Sequence, residues 1–133
     1  MTTRTAAKPG AGVEKRRAAV KTQLESQPGA TISPKSPRGV LIYHVMGKMF
    51  AILSTGNNPF VILKSDPGMA DLLRERYAGI GHRSHLDQRF WISVSLDADV
   101  PAPEVKRLIA QSHRLVCAGL TRKQKDALKA LLP

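Results

Sequence analysis

The fold is decided by the stretch from Val40 to Lys64, which reads VLIYHV-MG-KMFAILS-TGNN-PFVILK. It contains three runs rich in β-branched and aromatic residues, separated by a Met-Gly turn and a Gly-Asn-Asn turn. This pattern predicts an antiparallel meander of three strands. Both parities of each run carry apolar residues, as Ile42 and Tyr43 illustrate. A sheet with one face open to water would alternate more cleanly, so we expect helices on one face and a partial cover or a ligand on the other.

Helical patterns flank this meander. Predicted helices span residues 13–26, 67–78, 101–117 and 122–132, a fourth strand spans 89–96, and loops span 32–39 and 79–88. The second helix begins at an Asp-Pro pair, and its expected buried residues follow the spacing of three and four. These residues are Met69, Leu72, Leu73 and Tyr77. Antiparallel strands with helices packed on one face define an α+β fold, a two-layer sandwich.

The length of 133 residues predicts one domain that buries about two-thirds of its unfolded surface without disulfides or metals. Residues 1–12 consist mostly of Thr, Ala, Pro and Gly with scattered charge, and we expect them to form a disordered basic tail. Residues 13–133 are expected to form the single folded domain.

The chain is strongly basic. It has 21 Lys and Arg against 10 Asp and Glu, a net charge of +11 and a pI near 10.4. Residues 1–38 carry more than half of this excess, so the folded part is moderately basic. Such a balance favours polyanionic partners, nucleic acid first and an anionic membrane surface second.

A lone cysteine, Cys117, rules out an internal disulfide and fits a reducing cytoplasm. No apolar run approaches the roughly 18 residues that a membrane span needs. Arg4 and Lys8 are not followed by the apolar segment of a secretory signal. We therefore expect a cytoplasmic protein without a membrane partner.

Five segments together resemble the MmcQ/YjbR family in their order and spacing. They are KMFAILS at 48–54, PFVILKSD at 59–66, WISVSLD at 91–97, VPAPEVKRLI at 100–109 and SHRLVCAGLTRK at 112–123. The resemblance extends from about residue 18 to residue 125. It implies a CyaY-like (frataxin-like) α/β sandwich, and it implies DNA binding.

The family's Gly-Lys-Met-Phe is matched at residues 47–50. Its His-x-Asn-Lys-x-His-Trp motif is matched only at His85 and Trp91. The residues that replace its Asn, Lys and second His are Asp87, Gln88 and Phe90. Two polar contacts of any site there are thereby removed. The family's Pro-Phe-Gly approach to the first strand is replaced by Ser-Pro-Arg-Gly at 36–39.

Nucleic-acid binding requires cations that reach phosphates and planar groups for the bases. The candidates on or beside the strands are Lys48, Lys64, Arg83, His85, Arg89 and Trp91. Those on the first helix are Arg16, Arg17 and Lys21. If exposed, Trp91 supplies stacking worth roughly 1–3 kcal/mol per base. The alternative is that Trp91 belongs to the core and the cations are separately solvated. For the first helix, the alternatives are phosphate contact without sequence readout, or solubility alone.

The sequence contains no clear pattern of a metal site or a catalytic site. His82 and His85 lack a third ligand at a diagnostic spacing, and acids near a strand end, such as Asp97 and Asp99, are ordinary turn residues. The predicted first helix has only two acids against four cations, which does not suit iron. Cys117 is expected to be a buried inert thiol. We therefore expect no cofactor, no metal and no enzyme.

The favoured function is DNA binding, mainly through phosphate electrostatics. The alternative is a protein- or small-ligand-interaction domain that uses the sheet face and has no nucleic-acid role. The positions of four cations distinguish these two functions. The cations are Lys48, Lys64, Arg83 and Arg89. One shared positive face supports DNA binding, whereas scatter over several faces does not.

Overall fold

The computed structural model describes residues 11–83 and 85–132. Residues 1–10, most of the predicted disordered tail, lie outside the described residues. The first helix begins at Ala11, two positions before the predicted start.

The described chain contains four helices and six strands. Their order is α1 (Ala11–Glu25), β1 (Ala30–Ile32), β2 (Val40–Val45), β3 (Lys48–Ser54), β4 (Phe60–Lys64), α2 (Pro67–Arg76), β5 (Ile80–Gly81), β6 (Trp91–Ser95), α3 (Ala102–Ala118) and α4 (Arg122–Leu131).

The strands form one sheet in the order β1-β2-β3-β4-β6-β5, and every neighbouring pair is antiparallel. The predicted α+β sandwich and the central meander are confirmed. The prediction of loops was wrong at Ile32 and at Ile80–Gly81, which belong to β1 and β5. These strands are too short for a periodic pattern to reveal them, and each forms by pairing with the strand beside it.

The β2–β3 hairpin turns through Met46 and Gly47, whose φ angles are 49° and 80°. Two successive positive φ values are those of a type I′ turn, in which the second position favours glycine. Further along the hairpin, Tyr43 pairs with Ala51 while the next residue of β2 pairs with Met49. Phe50 is therefore the extra residue of a β-bulge.

The core lies between one face of the sheet and the helices. The strands contribute fully buried side chains to it, Tyr43, Phe50, Leu53, Leu63 and Ile92 among them. All four helices pack against this cluster, including α4, which does so through Leu128. On α2 the buried residues are Ala70 and Leu73. The prediction that Leu72 is buried was wrong, since 60% of it is exposed, because the helix turns a neighbouring face toward the sheet.

The opposite face of the sheet, here called the uncovered face, carries the alternate strand residues. Its central row is formed by the cross-strand neighbours Ile42, Ile52, Ile62 and Ser93. None of these four belongs to the core cluster. The helices of the described chain all pack on the other side, so side chains alone form this surface.

Candidate nucleic-acid interface

Lys64 and Trp91 lie side by side at one end of the uncovered face. They are directly paired on β4 and β6, and the Lys64 Nζ lies 6.0 Å from the centroid of the Trp91 ring. Both side chains are partly exposed, and Trp91 is outside the core cluster. A cation over an indole face is attracted by the ring quadrupole. The face of this ring is thus covered by a flexible ammonium group.

A second pair of the same kind is formed by Arg83 and Phe60. Arg83 is exposed in the loop after β5, and its Cζ lies 5.0 Å from the centroid of the partly exposed Phe60 ring at the start of β4. Sequence reasoning missed Phe60 as a site residue. The available signal was its alternation with Val61, which places the ring on the parity opposite to the core.

The two cation–aromatic pairs lie at opposite ends of β4. Phe60 and Lys64 are four residues apart, which corresponds to about 13 Å along a strand. Ile62, 4% exposed, and Ser93, 2% exposed, fill the space between the pairs. The strands β2, β3, β4 and β6 contain no Asp or Glu. The uncovered face is therefore apolar at its centre and positively charged at two ends.

The other predicted residues near the sheet do not join this face. Lys48 is exposed and pairs with Val45, a core residue, so it belongs to the helix-covered parity at the end of the hairpin. His85 is exposed in the loop before β6. Arg89 is paired with Asp87 across 2.7 Å and is 71% exposed. Hydrogen bonds from Arg89 lower the pKa of Asp87 to about 2, so this arginine has a permanent counter-charge.

The arginines of α1 hold the helix to the rest of the fold. Arg16 donates to the backbone carbonyl of Leu96 across 2.9 Å and also to the carbonyl of Val100. Arg17 donates to the Gly56 carbonyl across 2.5 Å and forms an ion pair with a glutamate of its own helix. These two guanidinium groups are therefore occupied by protein acceptors.

Lys21 forms a 2.6 Å ion pair with Glu25 at the end of α1. The same carboxylate accepts a 3.0 Å hydrogen bond from the Tyr43 hydroxyl. Burial and this hydrogen bond raise the pKa of Tyr43. The predicted phosphate contacts of α1 thus coincide with residues that dock the helix on the sheet.

The described residues offer neither a metal site nor an activated thiol. They contain no group of three or more His, Cys, Asp or Glu side chains placed to hold a metal ion. His113 contacts the Pro28 carbonyl through Nε2 at 2.7 Å and lies edge-on to Phe50. Cys117 Sγ is 3.7 Å from the same nitrogen, and burial raises the pKa of the thiol. A raised pKa disfavours the reactive thiolate.

None of the helices in the described part of the chain is long and apolar enough to span a bilayer.

Fold and face together define a small α+β domain whose helices cover one side of an antiparallel sheet. The sequence model of the YjbR family matches residues 25–115. The chain belongs to the YjbR family.

Two relatives from Escherichia coli show how far the likeness extends. The protein YjbR is 27% identical over 107 residues, which are 80% of this chain and 91% of that protein. The protein YbdF is 29% identical over 89 residues, which are 66% of this chain and 73% of that protein.

Solved structures have the same architecture. The crystal structure of Deinococcus radiodurans protein DR2400, a DUF419 domain, matches with a TM-score of 0.76 and 25% identity and covers 87% of this chain and 88% of that one. A protein from Pseudomonas syringae matches with a TM-score of 0.64 and 20% identity over 74% of this chain and 97% of its own. The second likeness concerns the fold alone.

Proposed function

We propose that this YjbR-family domain binds nucleic acid, DNA in the first place, through the uncovered face. Lys64 and Arg83 contact the phosphates. The observation that carries the proposal is their placement at two ends of one surface whose strands contain no acidic residue. Neither cation forms an ion pair with another described residue, unlike Arg17, Lys21 and Arg89.

Phosphate contacts of this kind depend on salt. Each neutralised phosphate releases condensed counterions, so affinity falls linearly with salt on a logarithmic scale, by roughly 0.7–0.9 per contact. The net charge of +11 adds a long-range attraction that speeds encounter. We propose that the domain is a binding module rather than an enzyme and that it meets its nucleic acid in the cytoplasm.

The apolar central row favours a second candidate, an interaction domain that docks a protein or a small ligand on the sheet. Ile42 and Ile52 remain partly exposed there, as cross-strand neighbours on β2 and β3. A contiguous exposed apolar surface is a feature of interaction sites in general. This candidate predicts binding that changes little with salt.

The test is fluorescence anisotropy of a labelled oligonucleotide at 50 and 200 mM salt. For two phosphate contacts we expect affinity to fall about 7- to 12-fold between these concentrations. The double variant Lys64→Gln/Arg83→Gln should bind more weakly and show a smaller salt dependence. The charge-matched control is Lys123→Gln/Lys125→Gln on α4, whose side chains are exposed on the helix-covered side. Absence of binding at low salt, or equal losses in the two double variants, would contradict the proposal.

A further inference from the structure

We infer that the uncovered face takes a single strand with unpaired bases, two of which stack on Phe60 and Trp91. The inference rests on the proposed function and goes further, because it names the form of the nucleic acid. Single-stranded DNA and RNA share the chemistry concerned, and the experiment below separates them.

Flexible cationic groups lie over the two rings. The side chains found there are the terminal groups of Lys64 and Arg83, at 6.0 and 5.0 Å from the ring centroids. Both are long, flexible cations, and Arg83 is exposed. When a base stacks on the ring, its cation can swing aside to the phosphate of the same nucleotide. Each pair thus supplies a stacking surface and a counter-charge for one nucleotide.

The two rings lie too far apart for two neighbouring bases of a duplex. Four residues of β4 separate Phe60 from Lys64, the partner of Trp91, which is about 13 Å along the strand. Successive phosphates on one strand of a duplex are only about 3.4 Å apart along its axis. Bases that occupy both rings are therefore not neighbours in a continuous stack. A strand with unstacked bases can be stretched over this distance.

An apolar row crosses the uncovered face between its two charged ends. The partly exposed Ile42 and Ile52 would meet the phosphates of a duplex laid across the sheet, and aliphatic side chains cannot replace the water around a phosphate. Unpaired bases present apolar ring faces that suit such a row. Sheets that bind single strands combine aromatic stacking with a positively charged margin in the same way.

The experiment compares three ligands of equal length and label: a single-stranded DNA, a single-stranded RNA and a DNA duplex. The variants are Phe60→Leu and Trp91→Leu, which keep an apolar side chain and remove the aromatic ring. The matched control is Tyr77→Leu, because Tyr77 also lies under a guanidinium group, with the Arg76 Cζ at 5.5 Å, but directly after the last residue of α2 and away from the uncovered face. Trp91 is the only tryptophan, so its fluorescence in the unaltered protein reports stacking directly.

We expect a single strand to bind at least tenfold more tightly than the duplex and to quench Trp91 fluorescence. Each leucine variant of the face should lose about fivefold or more in affinity for the single strand, and Tyr77→Leu should lose none. The tighter of the two single strands identifies the ligand as DNA or RNA.

A duplex that binds as tightly as the single strands without quenching Trp91 overturns this inference. The proposed function survives that result if Lys64→Gln/Arg83→Gln still weakens binding. Absence of binding to all three ligands overturns both the single-strand inference and the proposed function. Quenching of Trp91 fluorescence in the unaltered protein tests base stacking even if a leucine variant fails to fold.

Discussion

The Ser112 hydroxyl of α3 donates a 2.6 Å hydrogen bond to the backbone carbonyl of Phe50, the bulged residue of β3. The same oxygen accepts a 2.8 Å hydrogen bond from the backbone N–H of Lys64. The regular β3–β4 pairing ends one step earlier, at Ala51 and Leu63. The Ser112 side chain therefore bridges β3 and β4 just beyond the last pair of their ladder, next to the bulge that β3 forms against β2. It fixes the backbone from which the Lys64 side chain extends.

Replacing Ser112 by alanine should destabilise the fold by roughly 2–4 kcal/mol, because one buried and one partly buried backbone group each lose their partner. Urea denaturation measures the change. The control is Ser93→Ala, since the buried Ser93 Oγ has no hydrogen-bond partner among the described residues. We expect that substitution to be neutral or stabilising. Equal losses in the two variants would contradict the role assigned to Ser112.

Arg16→Ala should loosen α1 from the fold. Its guanidinium group donates to two carbonyls, and hydrogen bonds that involve a charged group contribute about 1.5–3 kcal/mol each. We expect a loss of roughly 2 kcal/mol in the free energy of unfolding and faster amide exchange in α1. Lys15→Ala removes the same charge from an exposed neighbour and should change stability by less than about 0.5 kcal/mol.

Arg83 and Arg89 lie in one loop region and should differ in their effect on nucleic-acid affinity. Arg83→Gln removes a cation without an ion pair to another described residue, whereas Arg89→Gln removes one that Asp87 already neutralises. Anisotropy titrations at 50 mM salt should show a loss of about threefold or more for the first variant and little change for the second. The companion variant Asp87→Asn should strengthen binding by releasing Arg89. A larger loss from Arg89→Gln would contradict this assignment.

Asp99 should make stability fall in acid. Its carboxylate accepts hydrogen bonds from the backbone N–H groups of Gly79 and Ala78 at 2.7 and 2.9 Å, and these bonds lower its pKa from the ordinary 3.8. A group with a lowered folded-state pKa stabilises the fold above its unfolded pKa and loses that effect as the pH falls through the folded value.

The Tm of Asp99→Asn should therefore lie below that of the unaltered protein at pH 6, and the gap should narrow toward pH 3. Asp97→Asn controls for the loss of an exposed charge in the same turn. A gap that stays constant between pH 6 and pH 3 would show that the carboxylate hydrogen bonds do not contribute.

The central sheet and the helices could be predicted because their patterns are long. Strands of five to seven residues with β-branched side chains, and the capping box of Thr121 and Gln124 at the start of α4, are local signals. β1 and β5 gave no such signal, since three and two residues cannot show a period. They exist because β2 and β6 offer them partners.

The candidate site could be predicted only in part. Charge and aromatic character pointed to Lys64, Arg83 and Trp91, which the structure places on one face. The contacts of Arg16 and Arg17 with backbone carbonyls could not be foreseen, because a carbonyl acceptor depends on the tertiary path of the chain and has no sequence signature. The pairing of Arg89 with Asp87 is different, since the two residues are neighbours in sequence.

The brief strands at the two borders of the sheet limit how a partner can be recognised. An extended peptide that joins a sheet needs a run of free main-chain donors and acceptors along an edge strand. β1 offers three residues and β5 offers two. The sheet edges are therefore too short to bind an added peptide strand through main-chain hydrogen bonds. Short edge strands also disfavour edge-to-edge association of copies of this chain into filaments. Selection among ligands is left to side-chain chemistry.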